Sequence, residues 1–172
     1  MLDMDFAIKF LSPIFSDDPD KDQVRFFQEA RMLFELKHES IINVYDVGIL
    51  KNKPYIRMEY FDGEDLNTVL KKYGVFTLDT ATDIILSVCE AMEYAHTKVV
   101  HRDLKPSNIM ISRPKKCRII DFGLGIFKEN QIYSRLTLVG KGVASGLYTA
   151  PELLVDPKII DKRSDIYSIG AI

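Results

Sequence analysis

The sequence predicts an α+β chain, and three patterns predict it. Apolar residues alternate or cluster as in strands near the N-terminus and again between residues 41 and 60. Residues 23–37 and 77–98 repeat them instead at helical spacing. Between the second helical stretch and a later apolar run, Val99 to Gly123 crowds charged and amide side chains into a turn-rich segment, VVHRDLKPSNIMISRPKKCRIIDFG. A polar cluster held on a hydrophobic floor is the centre around which the other elements are arranged.

Composition sets the outer bounds. The 172 residues are 47% apolar and 28% charged, an ordinary globular balance long enough to bury a core in one or two domains. A net charge of −2 gives no general electrostatic attraction for nucleic acid. Cys89 and Cys117 have no metal-like spacing and form no disulfide framework, so both are expected as reduced packing residues. No apolar run reaches membrane-spanning length and the N-terminus lacks a signal-peptide pattern, which makes a cytoplasmic location the expectation.

In chain order, Phe6, Ile8 and Phe10 alternate with Ala7, Lys9 and Leu11 in a strand-like run expected to be largely buried, with Lys9 its lone charge. Pro13 to Asp22 is a polar connection, and Asp22 is placed to cap a helix over Gln23 to Lys37. Val24, Phe27, Ala30, Leu33 or Phe34, and Leu36 or Lys37 fall on one face of that helix. Ile41 to Val47 and Tyr55 to Tyr60 read as a hairpin turning at Lys51-Asn52-Lys53-Pro54. Asp65 is an N-cap for Leu66 to Tyr73. Thr77 or Asp79 starts a long helix through Lys98, with Ala81, Ile84, Ile85, Val88, Met92 and Ala95 as its core stripe. His96 suits the C-terminus of that helix, where a cationic side chain is favoured, and His38 is expected to pack. Val99-Val100 and Cys117 to Ile120 are short strands flanking the polar loop.

The loop itself carries the chemistry. Asp103 and Asn108 are five positions apart across Pro106, so one short loop can aim a carboxylate and an amide oxygen at the same space, and Asp121 adds a second carboxylate. Hard oxygen ligands that leave room for water and phosphate oxygens are what Mg²⁺ prefers. One carboxylate suffices for the metal, which frees the other to orient an attacking hydroxyl or accept its proton. Lys105 adds a positive charge beside the transferring group. Positioning, metal and charge neutralisation are the needs of phosphoryl transfer.

HRDLKPSN at His101 to Asn108 and DFG at Asp121 to Gly123 resemble the catalytic loop and metal-binding motif of eukaryotic-type protein kinases, in the serine/threonine branch that Lys105 marks. Five fixed letters at about one in twenty each recur by chance on the order of once in ten thousand such chains. VVHRDLKPSNIMI with DFGLG is similar in style to bacterial members. The resemblance implies a bilobal kinase-like fold, incomplete: a partial small lobe over residues 1–60, with a sheet and one helix, and a partial, mainly helical large lobe over residues 61–172. It implies ATP and Mg²⁺ as cofactors and protein substrates bearing Ser or Thr, with nucleic acid not expected as a partner.

The same resemblance implies site roles. Asp103 would orient the hydroxyl and accept its proton, Lys105 would steady the γ-phosphate, and Asn108 and Asp121 would hold Mg²⁺, with Phe122 and Gly123 completing the metal motif. Phe6-Ala7-Ile8-Lys9 is similar to the family's lysine strand, so Lys9 would grip the phosphates and Glu29 would pair with it. The residues alone also allow Lys9 as an edge lysine reaching water and Glu29 as a surface partner of Arg25 or Arg31. Met58 stands at the back of the adenine pocket, the backbone of Glu59 to Phe61 at adenine, and Asp65 near the ribose. His101 would support the loop, and Arg102 would receive a phosphate from an activation segment, Leu124 to Thr149, whose candidate hydroxyls are Ser134, Thr137 and Ser145. That segment ends at Glu152 in APE, with Ala144-Ser145 replacing the family's Gly-Thr pair. Asp165 would brace the catalytic loop from the start of a buried central helix.

Two departures qualify the resemblance. No glycine-rich phosphate loop precedes Lys9, and the helices after the central one, with the arginine partner of Glu152, are not in the sequence. The chain is therefore expected to be an internal segment of a kinase domain, inactive alone, with apolar faces exposed at both cuts and any membrane anchor lying outside it. A non-catalytic kinase-like binding module is the alternative, favoured by the missing glycine loop and opposed by Lys9, Asp103, Asn108 and Asp121 together. A small-molecule phosphotransferase shares the Asp–Asn spacing, but Arg102 and the long segment ending in APE favour a protein substrate.

Overall fold

The computed structural model describes residues 5–10, 27, 30–51, 53–112, 116–122, 147–156, 159 and 161–172. A small antiparallel sheet comes first: β1 (Phe6–Phe10), β2 (Val44–Leu50) and β3 (Lys53–Glu59), in the order β1-β3-β2. Phe6 stands opposite Glu59 and Phe10 opposite Tyr55, while Leu50 faces Lys53 across the hairpin. The turn is thus tighter than the sequence implies, and Lys51 adopts φ 48°, the left-handed conformation that two-residue hairpin turns require. Lys53 and Pro54 belong to β3. Pro54 is tolerated because the register with β1 ends at Tyr55, so no bond from its nitrogen is called for on that side.

Two other expectations about this sheet need correction. β1 is not largely buried: Phe6, Ile8 and Phe10 are 40%, 57% and 50% exposed, whereas Ala7 packs on the core. The strand pairs on one side with β3, and only its Ala7 and Lys9 face looks inward. Arg57 lies 4.9 Å over the Phe6 ring and Tyr45 meets it edge-on, a partial cover for the outer face. The second strand begins at Val44 rather than Ile41, because the preceding residues are claimed by another part of the chain. Ile41 bridges Ile119, Ile42 N–H donates to the Ile119 carbonyl at 3.0 Å, and Ile119 N–H donates to the Ser40 carbonyl at 2.8 Å.

Residues 30–34 are helical, with Ala30, Leu33 and Leu36 buried at the expected spacing. The helix stops short of Lys37. Glu35 and Leu36 N–H groups reach back only three residues, to the Met32 and Leu33 carbonyls, which tightens and closes the last turn. The expected cap at Asp22 lies outside the described residues.

A second antiparallel sheet, β4 (Glu64–Asp65), β5 (Ile109–Ser112) and β6 (Lys116–Ile119), lies in that order. Helix α1 (Leu66–Tyr73) starts at Asp65, whose carboxylate accepts from Thr68 N–H at 3.0 Å and Thr68 Oγ1 at 2.7 Å. It ends at Gly74, where φ of 79° lets the glycine N–H return to the Leu70 carbonyl. Helix α2 (Leu78–Ala95) is capped by Thr77 and buries Ile84, Val88, Ala91, Met92 and Ala95. It ends before Lys98, and the expected strand at Val99-Val100 is absent. Val99 N–H instead bonds the Ala95 carbonyl at 2.8 Å, closing the turn that follows the helix. Among the described residues two further α-helices follow, α3 (Pro151–Val155) and α4 (Lys162–Ala171), the latter capped by Asp161.

Leu36, Ile41, Met92, Leu104, Ile109 and Ile119 are fully buried and belong to one continuous core beneath both sheets. Each such aliphatic side chain contributes about 1.5–3 kcal/mol. Cys117 joins this core, but Cys89 is exposed and is not a packing residue, because it falls on the solvent side of α2. Only one face of α4 is buried. That face is polar, Ser164, Asp165 and Ser168, while Ile166 and Tyr167 are about half exposed.

Candidate active site

The polar loop closes on itself before it meets anything else. Pro106 to Asn108 form one 3₁₀ turn, with Asn108 N–H on the Lys105 carbonyl at 2.9 Å. That turn swings the Asn108 side chain back, and its Nδ2 donates to the Asp103 carbonyl at 2.6 Å. Lys105 Nζ lies 3.0 Å from both carboxylate oxygens of Asp103. Both side chains are more than four-fifths buried, and Asn108 is 5% exposed. Asp103, Lys105 and Asn108 are thus one cluster.

Asp121 arrives from β6. Ile120 N–H bonds the Asn108 carbonyl at 3.0 Å, which sets the peptide ahead of Asp121 against the loop. His101 ties the same two parts together. Its Nδ1 accepts from Asp103 N–H at 3.3 Å, so the ring proton sits on Nε2 and is donated to the Ile120 carbonyl at 2.9 Å. The His101 ring lies 4.7 Å from that of Phe122, which is buried. Arg102 and Asp121 hold left-handed φ angles of 69° and 67°. Such conformations cost a non-glycine residue on the order of 1 kcal/mol or more and persist only where neighbours impose them. At Arg102 the neighbour is Asp165, fully buried in α4, whose carboxylate accepts Arg102 N–H and His101 N–H, each at 2.8 Å.

Lys9, on the inner face of β1, places its ammonium against the Asp121 carboxylate. The expected partner Glu29 lies outside the described residues, as do Gly123, Ser134, Thr137 and Ser145. Met58 lines a small apolar cavity with Leu33, Val44, Phe122 and Asp121, behind the Lys9–Asp121 pair. Glu59 accepts from Asn43 Nδ2 at 2.9 Å, and its own N–H donates to the Asn43 carbonyl at 2.8 Å, so any adenine bond from Glu59 falls to its carbonyl. Arg118 Nε stands 3.6 Å from Glu59, and its guanidinium lies 5.4 Å over the Phe61 ring. Gly63 permits this packing. A Cβ there would stand 2.5 Å from the Ile111 carbonyl oxygen and 2.8 Å from the Phe61 ring. Both Asp65 oxygens are taken up by the α1 cap. Glu152 accepts from Ser164 Oγ at 2.7 Å.

Three residues outside the sequence-derived set take part. His96 Nε2 is 2.9 Å from Asp165, although its position alone pointed only to a helix end. Tyr94 ties α2 to the end of the 30–34 helix, donating to the Glu35 carbonyl and accepting from Lys37 N–H. His38 packs on its ring, as expected. Arg118 reaches the Glu59–Phe61 linker. Nothing in local spacing signals these three, since each partner lies tens of positions away.

The donor set fits a magnesium–phosphate site. Among the described residues no group of three or more His, Cys, Asp or Glu could hold a metal by itself. Mg²⁺ needs no such cage, because it takes one or two protein oxygens and fills the remainder with water and phosphate. Asn108 commits its nitrogen to Asp103, so its amide oxygen is the atom that could ligate a metal, and the Asp121 carboxylate could supply a second ligand.

A small antiparallel sheet, a short linker and a mainly helical part enclosing a charged loop make up the two-part α+β layout of kinase-like phosphotransferases. Residues 3–172 match the protein kinase domain family. The serine/threonine-protein kinase PknB of Mycobacterium tuberculosis (strain ATCC 25177 / H37Ra) is 34% identical over 176 residues, covering 99% of this chain and 28% of that protein. The probable serine/threonine-protein kinase PknB of Corynebacterium glutamicum is 34% identical over 177 residues, covering 100% of this chain and 27% of that protein. Among solved structures, the Mycobacterium tuberculosis PknI kinase domain superposes with a TM-score of 0.71 at 27% identity, over 95% of this chain and 60% of that one. The chain belongs to the protein kinase domain family, and it spans a little over a quarter of the length of these curated relatives.

Proposed function

We propose that the protein is a serine/threonine protein kinase, moving the γ-phosphoryl group of ATP to a Ser or Thr hydroxyl of a protein substrate. The observation that carries this is the convergence of Asp103, Lys105 and Asn108 in one buried cluster, tied through Asn108 and His101 to the peptide that positions Asp121 and its partner Lys9. Names of relatives such as PknB supply the serine/threonine class.

Asp103 accepts the proton as the substrate oxygen attacks phosphorus and the bond to ADP breaks. Lys105, 3.0 Å from that carboxylate, places a positive charge between it and the incoming phosphoryl group. Lys9 holds phosphate oxygens from the other side. The Asn108 and Asp121 oxygens would hold Mg²⁺, which when bound neutralises charge on the phosphate oxygens. Adenine would enter between the partial small lobe proposed over residues 1–60 and the partial large lobe proposed over residues 61–172, against the backbone of Glu59 to Phe61. No helix of the described residues is long and apolar enough to cross a membrane. We place this part of the protein in the cytoplasm, where ATP is available.

The test, run on the full protein because this segment is expected to be inactive alone, is transfer of labelled γ-phosphate from ATP to a generic basic protein. Asp103→Asn should abolish transfer, a loss of at least about 10²-fold, while nucleotide-dependent thermal stabilisation persists. Stabilisation by ATP with no transfer from the unmodified protein would instead establish a binding module.

A further inference from the structure

A cavity of about 880 Å³ opens between α1, α2 and the β5–β6 hairpin. None of its lining residues belongs to the Asp103–Lys105–Asn108 cluster or to the small cavity behind the Lys9–Asp121 pair. Its most buried lining residues are Ile84 and Cys117, 8% and 6% exposed, and Val69, Phe76 and Ile111 are partly buried beside them. Tyr73 and Leu86 also line it, yet more than half of each faces solvent. The volume falls within the range that small-molecule ligands fill, about 300–1,000 Å³. An apolar recess left to water is stabilised by any apolar group that enters it.

Charge decides which apolar ligand fits. Glu64, Asp83 and Glu90 line the cavity, and among the described lining residues there is no lysine, arginine or histidine. Lys72 shows how this rim receives a cation: its ammonium stands 3.1 Å from Glu64 Oε1 and 5.0 Å over the Tyr73 ring. Along α2, Thr80, Asp83, Ser87 and Glu90 recur at three- and four-residue spacing and so share one face. Glu90 lies about 10 Å farther along that face than Asp83. It has no hydrogen bond or ion pair among the described residues. A carboxylate beside an apolar wall attracts a cation more strongly than one in open water, because the wall lowers the local dielectric. We propose that this cavity binds a small organic cation, an ammonium on an aromatic or branched apolar body, with the body against Phe76, Ile84 and Ile111 and the ammonium at Glu90. This site does not depend on the kinase reading above.

The test is calorimetric titration of the full protein with three probes of one shape: phenylbutylammonium, phenylbutanol and phenylbutanoate. The ammonium should saturate a single site and bind at least roughly tenfold tighter than the alcohol, with the carboxylate weakest. Glu90→Gln, an exposed substitution on α2, should bring the ammonium within roughly threefold of the alcohol and leave the alcohol's own affinity unchanged. Ser87→Trp fills the cavity from the same helix and should abolish binding of all three; Val69→Phe, from α1, replaces it if that variant does not fold. Saturating ADP should leave the ammonium's affinity unchanged, and competition by ADP would put the probe in the nucleotide cleft and overturn the proposal. Equal affinity for ammonium and alcohol, no binding of either, or ammonium binding that survives both Glu90→Gln and the filled cavity would overturn it as well. A short lysine- and leucine-rich peptide is the fourth probe. If it binds where the free ammonium does not, a protein partner occupies the cavity and the proposal fails.

Discussion

Asn108 donates from Nδ2 to the backbone carbonyl of Asp103 at 2.6 Å, and the same nitrogen lies 3.4 Å from Asp103 Oδ2. The nitrogen thus clips the loop shut, while the amide oxygen is the atom that the proposed function assigns to Mg²⁺. Asn108→Asp replaces the nitrogen with an oxygen facing a carbonyl. Phosphate transfer should fall by about 10²-fold or more, and the fold should lose roughly 1–3 kcal/mol in urea denaturation. Undiminished transfer by this variant would show that the clip is dispensable.

Ile119 is fully buried, and its backbone bonds both Ser40 and Ile42. Ile119→Ala leaves a cavity under both sheets and should cost about 2–5 kcal/mol. The check is a lower urea midpoint with an unchanged slope, since the backbone bonds remain.

The two thiols should separate cleanly by reactivity. Burial pushes Cys117 up to about 11, while Cys89 is exposed. At pH 8 a disulfide reagent should modify one thiol rapidly, Cys89, and the second only after unfolding. Because the folded value lies above the ordinary thiol value of 9.0, the folded chain keeps a proton that the unfolded chain loses. That contribution to stability is intact below about pH 9 and is lost as pH rises toward 11. A Cys117→Ala variant should lack this alkaline decline.

Gly63→Ala drives a methyl group toward the Ile111 carbonyl and the Phe61 ring. Overpacking of this kind costs about 1–3 kcal/mol. The linker would shift with Phe61, and if it holds adenine as proposed, KM for ATP should rise in steady-state assays while kcat changes less.

Local patterns announced the small sheet's strands, α1, α2 and the polar loop, because each is encoded within a few positions, whereas β4 and β5 were not anticipated and the strand expected at Val99-Val100 is absent. Asp65 caps α1 and Thr77 caps α2 as their side-chain types predict, and the α2 stripe from Ile84 to Ala95 faces the core. The errors came where tertiary partners decided. Ile41 has strand character, yet it is taken by Ile119 instead of joining β2. Phe6, Ile8 and Phe10 look like core, but alternation says only that two faces differ, and here the smaller Ala7 is the one packed inward. Lys9 meeting Asp121 and His96 meeting Asp165 join residues far apart in sequence, and no spacing rule reaches that far.

The short stretch from Ser40 to Asn43 bonds β6 at Ile119 and β3 at Glu59 at once. The ion pairs Arg118–Glu59 and Lys9–Asp121 cross between the same two parts of the chain. Four consecutive residues thus act as a rivet, and a substitution that displaces them would disturb both sheets together rather than one alone.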